Sequence, residues 1–410
     1  MRPEFFFTDY FRDDEGSEIQ SFKDDNLKLL TQKPWPKFKK SNFWQYTNPE
    51  LFFKNLNKRG ENKDNTITNI DDYLLEDAIN ILDTDDGFLV RDVLPKGIKI
   101  IHVNEYIKEN KIIEKGNKDI ENFLKLNGAF LNSGFILEVE ENTIINIPVQ
   151  IIFTKGYKHV FRRNFIKVGR FSKVEIIETY ISENRNNLFF NINSDIRVEE
   201  SAVLSHYKLE FSNKFDFIFN NLNVDLEKDA VLNGFYYTNG GGKIKNNLIF
   251  NLIQEGADVS INGLYVLKER NHIDNTTSIN HIKGNTKSTQ IYKGLLDDES
   301  EAVFDGLVEI FKDAKLSNSN QLNQNLLLSE TAVINSKPQL IIGNDDVKCS
   351  HGSTSGQIDK NQLFYLGSRG IGEKEAKKLL SKAFVNEILL KLKNEEIKEF
   401  LLNYINNRLD

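Results

Sequence analysis

Apolar and polar residues alternate with a period of two through the middle of the chain, from about residue 135 to about residue 350. The runs 173–180 and 195–198 are clear examples. Successive side chains of a β-strand point to opposite faces, so alternation of this kind is typical of half-buried strands. The pattern therefore predicts that residues 135–350 form a strand-rich core.

A corner with a small residue recurs between the predicted strands. In each corner an alanine is followed, directly or one residue later, by a valine; the alanines are Ala202, Ala230, Ala257, Ala302 and Ala332. The first three are 28 and 27 residues apart, and a fixed period of this size is typical of a solenoid. A small residue at a tight corner lets each coil bury its apolar face on the next coil. The repeat therefore favours a parallel β-helix.

An antiparallel β-sandwich is the structural alternative, since it also contains many short strands with turn signals. Hairpin dipeptides are sparse in this sequence, however, and the two later alanines fall at irregular distances, as insertions into a solenoid would produce. The periodicity favours the β-helix over the sandwich and leaves both open.

The two ends of the chain have a different pattern. Residues 1–134 are predicted to be mixed and partly helical, with short strands at 87–90 and 97–103 and a helical segment at 104–127. Residues 351–410 are predicted to be a helical domain, because apolar residues there repeat at helical spacing. The predicted apolar face of its longer helix contains Ala376, Leu379, Leu380, Ala383, Phe384 and Ile388. Asp359 and Asn394 are the predicted helix caps.

Charge and composition exclude several classes of protein. The 53 basic and 60 acidic residues give a net charge of −7 and form no basic block, so a nucleic-acid binder is not expected. No stretch approaches the roughly 18 apolar residues of a spanning helix, and the N-terminus lacks the apolar core of a signal peptide. We expect a soluble, cytoplasmic protein that does not bind membranes.

The candidate chemistry lies near the C-terminus, in the segment 344–352. It contains the only cysteine of the chain, Cys349, with His351 two positions later. On an extended strand these side chains point the same way, and Ser350 points away from both. The pair could be half of a metal site, or a buried thiol beside a histidine that serves only as a hydrogen-bonding group. Spacing alone leaves both readings open.

The glycine run 240–242, followed by Lys243, resembles part of a phosphate-binding loop. That loop also needs a glycine at position 237 and a serine or threonine after the lysine, whereas the chain has Tyr237 and Ile244. We therefore predict a flexible loop and no ATP site in this chain.

The sequence contains no conspicuous spacing for a serine–histidine–acid triad. A polysaccharide-active enzyme is nevertheless the main alternative function, because β-helices host carbohydrate chemistry and a fold alone does not determine function. Such an enzyme would need several acidic residues and a basic residue along one groove.

The segments 338–340, 345–352, 363–366 and 368–370 resemble the C-terminal signature of the SufB/SufD family of iron–sulfur cluster assembly proteins. Further resemblances are Trp44, Tyr46 and Thr47 near the N-terminus, and the segments 271–281 and 288–298. The sequence Cys-Ser-His-Gly at 349–352 resembles the SufD type, whereas the SufB type typically carries Glu-His-Glu at positions 350–352. Gln45 stands where a basic residue is common in the family.

The resemblance implies a fold and a role. The fold is a mainly β structure with a right-handed parallel β-helix core, a mixed or helical N-terminal region and a helical C-terminal domain. The role is that of a non-catalytic scaffold that pairs with a SufB-like paralogue and docks a SufC-like ATPase through its C-terminal helices. Independently of the resemblance, the strands at the C-terminal end of a β-helix need a cover, so we expect the paralogue to supply it, with a homodimer as the substitute when the chain is made alone.

The implied cofactor is a transient iron–sulfur cluster that is shared with a partner chain. A single thiolate cannot hold such a cluster, which usually has about four protein ligands. His351 is the expected metal ligand because SufB-type and SufD-type sequences share this histidine, while Cys349 is a cofactor-site neighbour that could be structural. His272 and His281 are better explained as structural residues than as ligands.

Overall fold

The computed structural model describes residues 17–32, 34–52, 70–85, 87–109, 118–154, 156, 158–183 and 188–409. Its central feature is a pair of β-sheets in which consecutive strands alternate between the two sheets. In the part of the chain that the structure describes, sheet A has ten strands: β1 (Ile79–Thr84), β2 (Gly87–Val90), β5 (Val149–Phe153), β7 (Lys173–Ile181), β9 (Val203–Phe211), β11 (Val231–Asn239), β13 (Asp258–Leu267), β15 (Lys287–Leu296), β17 (Asn318–Leu327) and β19 (Lys348–Gln357).

Over the same described residues, sheet B has nine strands: β3 (Ile98–His102), β4 (Ser133–Val139), β6 (His159–Val168), β8 (Phe189–Val198), β10 (Phe217–Leu226), β12 (Lys243–Leu252), β14 (His272–His281), β16 (Glu301–Ile310) and β18 (Val333–Ile342). From β4 and β5 onward every neighbouring pair is parallel and in register, for example Val231 with Asp258 and Asp258 with Lys287. The chain is therefore a parallel β-helix, as predicted.

The two ends of the β-helix are built differently. At the N-terminal end, β2 pairs antiparallel with β1 and β3 pairs antiparallel with β4. At the C-terminal end, β18 and β19 are the last strands of their sheets, and among the described strands each pairs only with the preceding coil. The N-terminal end is thus finished by antiparallel strands, and the C-terminal end presents two strand edges.

The lumen between the sheets holds the main hydrophobic core. Inward-facing positions stack in columns from coil to coil, such as Val174, Leu204, Leu232 and Val259 of sheet A. All four are buried. The period-two pattern places one apolar residue of each pair in this core, and its burial drives the stacking of the coils.

The corner that leads from sheet B to sheet A contains one residue with a left-handed backbone in each of seven successive coils, from β4–β5 to β16–β17. These residues are Asn142, Phe171, Ser201, Asp229, Gly256, Asn285 and Leu316, with φ between +54° and +76°. The backbone N–H of each non-glycine member donates to a carbonyl one coil later, as Ser201 does to Lys228 at 2.9 Å. The coil reverses direction at this residue, and the hydrogen bonds hold the corners in register.

The alanine repeat is only partly equivalent in three dimensions. Ala202, Ala230 and Ala257 each precede a strand of sheet A and are fully buried, as predicted. Ala302 and Ala332 belong to the other corner, at the start of β16 and just before β18. The irregular spacing therefore results from a change of corner, and the explanation by insertions was wrong. The sheet A corner continues through Thr286, Ser317 and Val347.

The glycine run 240–242 is a tight corner between β11 and β12 and not a flexible loop. Gly240 and Gly241 have φ of +79° and +83°, a conformation that favours glycine. The N–H groups of Gly242 and Lys243 both donate to the carbonyl of Asp216, at 2.9 and 3.0 Å. These bonds fix the corner on the preceding coil.

Within the described residues, six α-helices flank the β-helix. They are α1 (Ser17–Gln32), α2 (Val103–Glu109), α3 (Glu121–Ala129), α4 (Lys360–Ser368), α5 (Glu373–Leu389) and α6 (Glu395–Arg408). The helix α3 and the segment 34–52 pack on the outer face of sheet B around Trp44, Phe123 and Phe219. The helices α5 and α6 pack on the outer face of sheet A. Both sheets are thus covered on both faces along part of their length, as parallel sheets usually are.

The C-terminal helices follow the sequence pattern with one difference. Asp359 and Asn394 cap α4 and α6, accepting from the N–H groups of Asn361 at 2.8 Å and Ile397 at 2.9 Å. The buried face of α5 includes Val385 and Leu389, whereas the predicted face member Leu379 is 41% exposed. The buried face is rotated because the end of α5 packs with α6 on sheet A. The expected division points at residues 134 and 350 lie within β4 and β19.

Candidate functional site

The segment with Cys349 and His351 forms β19, the last strand of sheet A. Cys349 lies beside Ser319 and His351 beside Gln321 in the parallel register with β17. The opposite edge of β19 pairs with no other strand among the described residues. The candidate residues are therefore on an open sheet edge at the C-terminal end of the β-helix.

Cys349 and His351 point to the same side of the strand, toward the lumen. Cys349 continues the inward column of Val259, Ser288 and Ser319, and it packs against the main core. His351 continues the neighbouring inward column. Ser350 points to the outer face, where its hydroxyl donates to Asn320 Oδ1 at 2.9 Å. The predicted alternation of faces is therefore observed.

The two side chains differ in access and in chemistry. Cys349 is partly buried, and burial raises the pKa of its thiol, an effect that a hydrogen bond from the Ser319 backbone opposes. A raised pKa leaves less thiolate at neutral pH, and the thiolate is the form that binds metals. His351 is exposed at the end of the lumen. His351 is thus the more accessible of the two candidate residues.

The lumen becomes polar as it approaches this end. In β17 the inward residues are Ser319, Gln321, Asn323 and Asn325, all of them buried. They are bonded to one another and to the last coil, for example Asn325 Nδ2 to Ser355 Oγ at 3.2 Å and Ser336 Oγ to Asn323 Oδ1 at 2.8 Å. The lumen of the last coils is therefore filled by polar side chains that are hydrogen-bonded to one another, which is unusual for the core of a solenoid.

The sequence analysis missed this polar interior. The signal was present in the run 318–325, where Leu322 is the only apolar residue. Leu322 lies on the outer face and is only partly buried, so the inner face of β17 carries no apolar residue from 319 to 325; Leu327, at the end of the strand, packs against the main core. A strand pattern with polar residues on both faces was the available clue.

A second polar cluster joins two regions that are distant in the sequence. Thr47 Oγ1 donates to Asp274 Oδ2 at 2.6 Å and lies 2.9 Å from His272 Nε2. The other ring nitrogen of His272 lies 3.0 Å from Glu301 Oε2. Lys245 Nζ is 2.8 Å from Asp274 Oδ1, so the carboxylate is paired on both oxygens. The cluster brings together the two family-like segments at 42–47 and 271–281.

This cluster resembles a hydroxyl–histidine–acid triad but lacks access to substrate. Thr47 is 1% exposed and His272 is 2% exposed. Burial lowers the pKa of Lys245, and the Asp274 carboxylate opposes that shift. Thr47 therefore serves to anchor the segment 34–52 on sheet B, and His272 is structural.

His281 is structural as well. Its ring nitrogens lie 2.8 Å from Thr286 Oγ1 and 2.8 Å from Ser288 Oγ, and the side chain is fully buried. Burial lowers the pKa of His281 to about 4. Neither of its nitrogens is available to a metal ion.

Acidic and basic residues line one surface groove of about 480 Å³ at the corner from sheet A to sheet B. Its charges form ion pairs: Lys214 with Glu269 at 2.8 Å, and Arg270 with Glu299 at 2.9 Å. Glu299 is thus paired with a cation of the neighbouring coil and Glu269 with a cation two coils away, while the Asp298 carboxylate accepts from the backbone N–H of Glu269 at 2.9 Å. The groove is better explained as a ladder of corner ion pairs than as an acid–base site.

In the part of the chain that the structure describes, no three histidine, cysteine, aspartate or glutamate side chains are grouped closely enough to hold a metal ion. The pair at positions 349 and 351 therefore provides at most a partial set of ligands. Among the same residues, no helix is long and apolar enough to span a membrane.

Comparison with known proteins agrees with this geometry. Residues 151–384 match the family model described as SUF system FeS cluster assembly, SufBD core domain. This match covers more than half of the chain and most of the β-helix. The chain therefore belongs to the SufB/SufD family of iron–sulfur cluster assembly proteins, and it is of the SufD type.

Three individual relatives show how strong the similarity is and how much of the chain it covers. The iron-sulfur cluster assembly protein SufD of Escherichia coli (strain K12) is 34% identical over 247 residues, which are 60% of this chain and 58% of that protein. SufD of Bacillus subtilis (strain 168) is 26% identical over 331 residues, 79% of this chain and 75% of the relative. Protein ABCI7, chloroplastic, of Arabidopsis thaliana is 25% identical over 417 residues, 95% of this chain and 86% of the relative. The chain thus spans less than two thirds of the E. coli protein.

Proposed function

We propose that this protein is a non-catalytic scaffold subunit of a SUF-type iron–sulfur cluster assembly complex. It pairs with a SufB-like paralogue, and a cluster forms transiently at the interface between the two chains. The cluster is the cargo of the complex and takes further ligands from the partner. The observation that carries the proposal is His351, which faces the open end of the lumen on an unpaired strand edge.

The open end is suited to a second chain. Each of β18 and β19 presents ten residues of backbone along a free edge. Val333, Ile341 and Ile342 of β18 are 48%, 53% and 50% exposed, so apolar surface lies beside the edge. Strand edges of this kind pair readily with another chain unless they are covered. The SufB-like paralogue covers them in the working complex, and a second copy covers them when this chain is made alone.

The C-terminal helices provide a separate surface for a SufC-like ATPase. Phe364 and Tyr365 of α4 are 79% and 57% exposed, and Leu390 after α5 is 63% exposed. Exposed aromatic side chains are favourable centres for protein interfaces. The ATPase supplies nucleotide hydrolysis in this proposal, which is supported by the glycine run 240–242 of this chain forming a structural corner held by backbone hydrogen bonds. The complex works in the cytoplasm.

His351 contributes the metal ligand of this subunit, and Cys349 is its structural neighbour. The proposal is supported by the exposure of the imidazole and by the partial burial and raised pKa of the thiol. An imidazole can replace a thiolate at one iron of a cluster. The remaining ligands come from the paralogue.

The test is to assemble the complex with the paralogue and the ATPase and to measure iron and sulfide per complex. We expect His351→Ala to lower cluster content or affinity by at least about 10-fold, the lower end of the loss typical for a residue that only supports a ligand. Cys349→Ser should load close to the parent level. Ser350→Ala, on the same strand but on the outer face, is the matched control.

The ranking of the two residues is wrong if Cys349→Ser loses the cluster and His351→Ala keeps it. The site assignment itself fails if both variants load normally at matched complex yield. A chain that stays monomeric at micromolar concentration and has no affinity for the paralogue would contradict the proposed assembly. Turnover of a polyuronate by the purified chain would instead support the alternative of a polysaccharide-active enzyme.

A further inference from the structure

A column of three side chains leads from the buried lumen to the candidate ligand. Gln290 of β15, Gln321 of β17 and His351 of β19 occupy equivalent positions in the parallel register. Adjacent strands lie about 4.8 Å apart, so each side chain stacks on the next. Gln290 and Gln321 are fully buried, whereas His351 is exposed.

Hydrogen bonds orient the two amides. Thr277 Oγ1, from the opposite sheet, donates to Gln290 Oε1 at 3.3 Å. Gln321 Nε2 donates to the same oxygen at 2.8 Å. The amide nitrogen of Gln321 is thus bonded to Gln290, on the interior side of the column. The Oε1 of Gln321 is left to accept a hydrogen bond from a donor outside this pair. Among the described residues this buried oxygen has no hydrogen-bond partner.

The imidazole of His351 is a neighbouring group that can donate to this oxygen; the other partnerless donor of the column, Gln290 Nε2, belongs to an amide that already meets Gln321 through its oxygen. The His351 side chain lies directly after Gln321 in the column, on the inward face, and its exposed ring is free to change rotamer. A buried carbonyl oxygen is favoured to find a donor. Ligating histidines commonly donate their second ring N–H to a carbonyl or carboxylate oxygen, which fixes the tautomer and the ring orientation.

We infer that Gln321 is a positioning residue for His351: its Oε1 accepts one ring N–H of His351 and leaves the other nitrogen, with its lone pair, directed out of the lumen. Gln290 and Thr277 hold the amide of Gln321 in the orientation that this bond requires. The inference rests on the proposed function at one point, namely that the outward-directed ring nitrogen binds the cluster. The hydrogen bond itself belongs to this chain alone.

The test reads the tautomer of His351 by ¹⁵N correlation spectroscopy of the full chain without cluster, at pH 8, where an ordinary imidazole is neutral. The chain has six histidines, and the signals of His351 are assigned by their loss in His351→Ala. In the parent we expect one tautomer to exceed the other by about 10-fold, equivalent to about 1.4 kcal/mol.

Gln321→Leu removes the acceptor at similar size and should reduce this ratio at least about threefold, a loss of roughly half of the preference. Gln321→Glu keeps an oxygen acceptor at the same position and should retain the parent tautomer. Gln324→Leu makes the same substitution on the outer face of β17 and should change nothing. If Gln321→Leu does not fold, Gln321→Met replaces it, because methionine is of similar length and adapts to its surroundings.

An unchanged tautomer ratio in a folded Gln321→Leu or Gln321→Met protein would overturn the inference. So would a spectrum in which His351 accepts a hydrogen bond from the Gln321 amide nitrogen. These outcomes are independent of cluster content in His351→Ala, which tests the proposed function. In the assembled complex, Gln321→Leu should lower cluster affinity by about 10-fold and Gln321→Glu should restore it.

Discussion

Replacing Thr47 by valine tests whether the cluster around His272 anchors the N-terminal segment. The substitution exchanges a hydroxyl group for a methyl group at nearly constant size. It removes the donor to Asp274 and the oxygen that faces His272 Nε2. Both partners are nearly fully buried, so water does not readily replace the lost hydroxyl.

The expected loss follows from the two contacts. A hydrogen bond to a charged group contributes about 1.5–3 kcal/mol, and a buried donor left without a partner costs about 1–3 kcal/mol. Asp274 keeps its ion pair with Lys245, which limits the damage. We therefore expect Thr47→Val to weaken the docking of segment 34–52 by about 2–5 kcal/mol, a large part of a typical domain stability of about 5–15 kcal/mol.

The chain provides a local probe for this segment. Its two tryptophans are Trp35 and Trp44, both within residues 34–52. Trp44 is 1% exposed, and its ring is stacked on Phe123 at a centroid distance of 5.2 Å. Tryptophan fluorescence therefore reports the segment, while far-ultraviolet circular dichroism reports the sheets. In a guanidinium titration, Thr47→Val should move the fluorescence transition to lower denaturant and leave the dichroism transition nearly in place.

Two variants serve as controls. Thr47→Ser keeps the hydroxyl and should lose only about 0.8 kcal/mol for the missing methyl group. Thr31→Val, at an exposed position of α1, should stay within about 0.5 kcal/mol of the parent. The reasoning is refuted if Thr47→Val unfolds within about 0.5 kcal/mol of the parent by both probes, or if Thr47→Ser is as destabilised as Thr47→Val.

Three further predictions concern the β-helix. Burial lowers the pKa of His281 to about 4 from 6.5. Because the unfolded state binds the proton more readily, the stability that this residue contributes is complete above about pH 6.5. It falls by about 1.4 kcal/mol for each pH unit between 6.5 and 4. His281→Gln should flatten that slope in urea titrations at pH 7, 6 and 5, and an unchanged slope would contradict the assignment. A Cβ on Gly134 would lie 1.8 Å from a backbone oxygen of β6. Gly134→Ala should therefore lower stability by at least about 3 kcal/mol in thermal unfolding. Gly356 has open space around it, so Gly356→Ala should not lower stability in this way. Leu316 is 56% exposed and has a left-handed backbone with φ of +60°, so Leu316→Gly removes backbone strain and should raise stability by about 0.5–1 kcal/mol. Leu390 has φ of −63°, and Leu390→Gly should lower stability instead. Equal effects of the two substitutions would refute the argument.

The period-two pattern predicted the strands of the core because burial in the lumen imposes it on most of them; β17, with polar residues on both faces over 318–325, is an exception. The left-handed corner residues were not predictable in the same way, since they range from Gly256 to Phe171 and Leu316 and share a backbone conformation without sharing a side-chain type. Ala302 and Ala332 were assigned to the wrong corner because a sequence interval does not reveal which corner a residue occupies.

For the candidate site, the sequence was sufficient to place Cys349 and His351 on one face of a strand. It did not reveal that this face lines the open end of the lumen, because that depends on which strand is last in the sheet. The contact of Thr47 with His272 spans 225 residues and has no local signal. The stacking of Gln321 beneath His351 depends on the register of β17 and β19, which only the structure supplies.

Strands that pair in the β-helix are close to one another in sequence, and this affects how the chain folds during synthesis. Neighbouring strands of a sheet are roughly one coil, or 30 residues, apart in sequence, which gives a relative contact order of about 0.07, similar to that of helical proteins. Each coil can therefore form as soon as the next one emerges. The helix α6, however, packs on Phe211 and Tyr237, which are synthesised roughly 200 residues earlier. At about 5–20 residues per second, this face of sheet A waits about 10–40 s for its cover. During that interval the growing chain exposes an aromatic surface that the finished protein hides, and this is the stage at which aggregation should compete most strongly with folding.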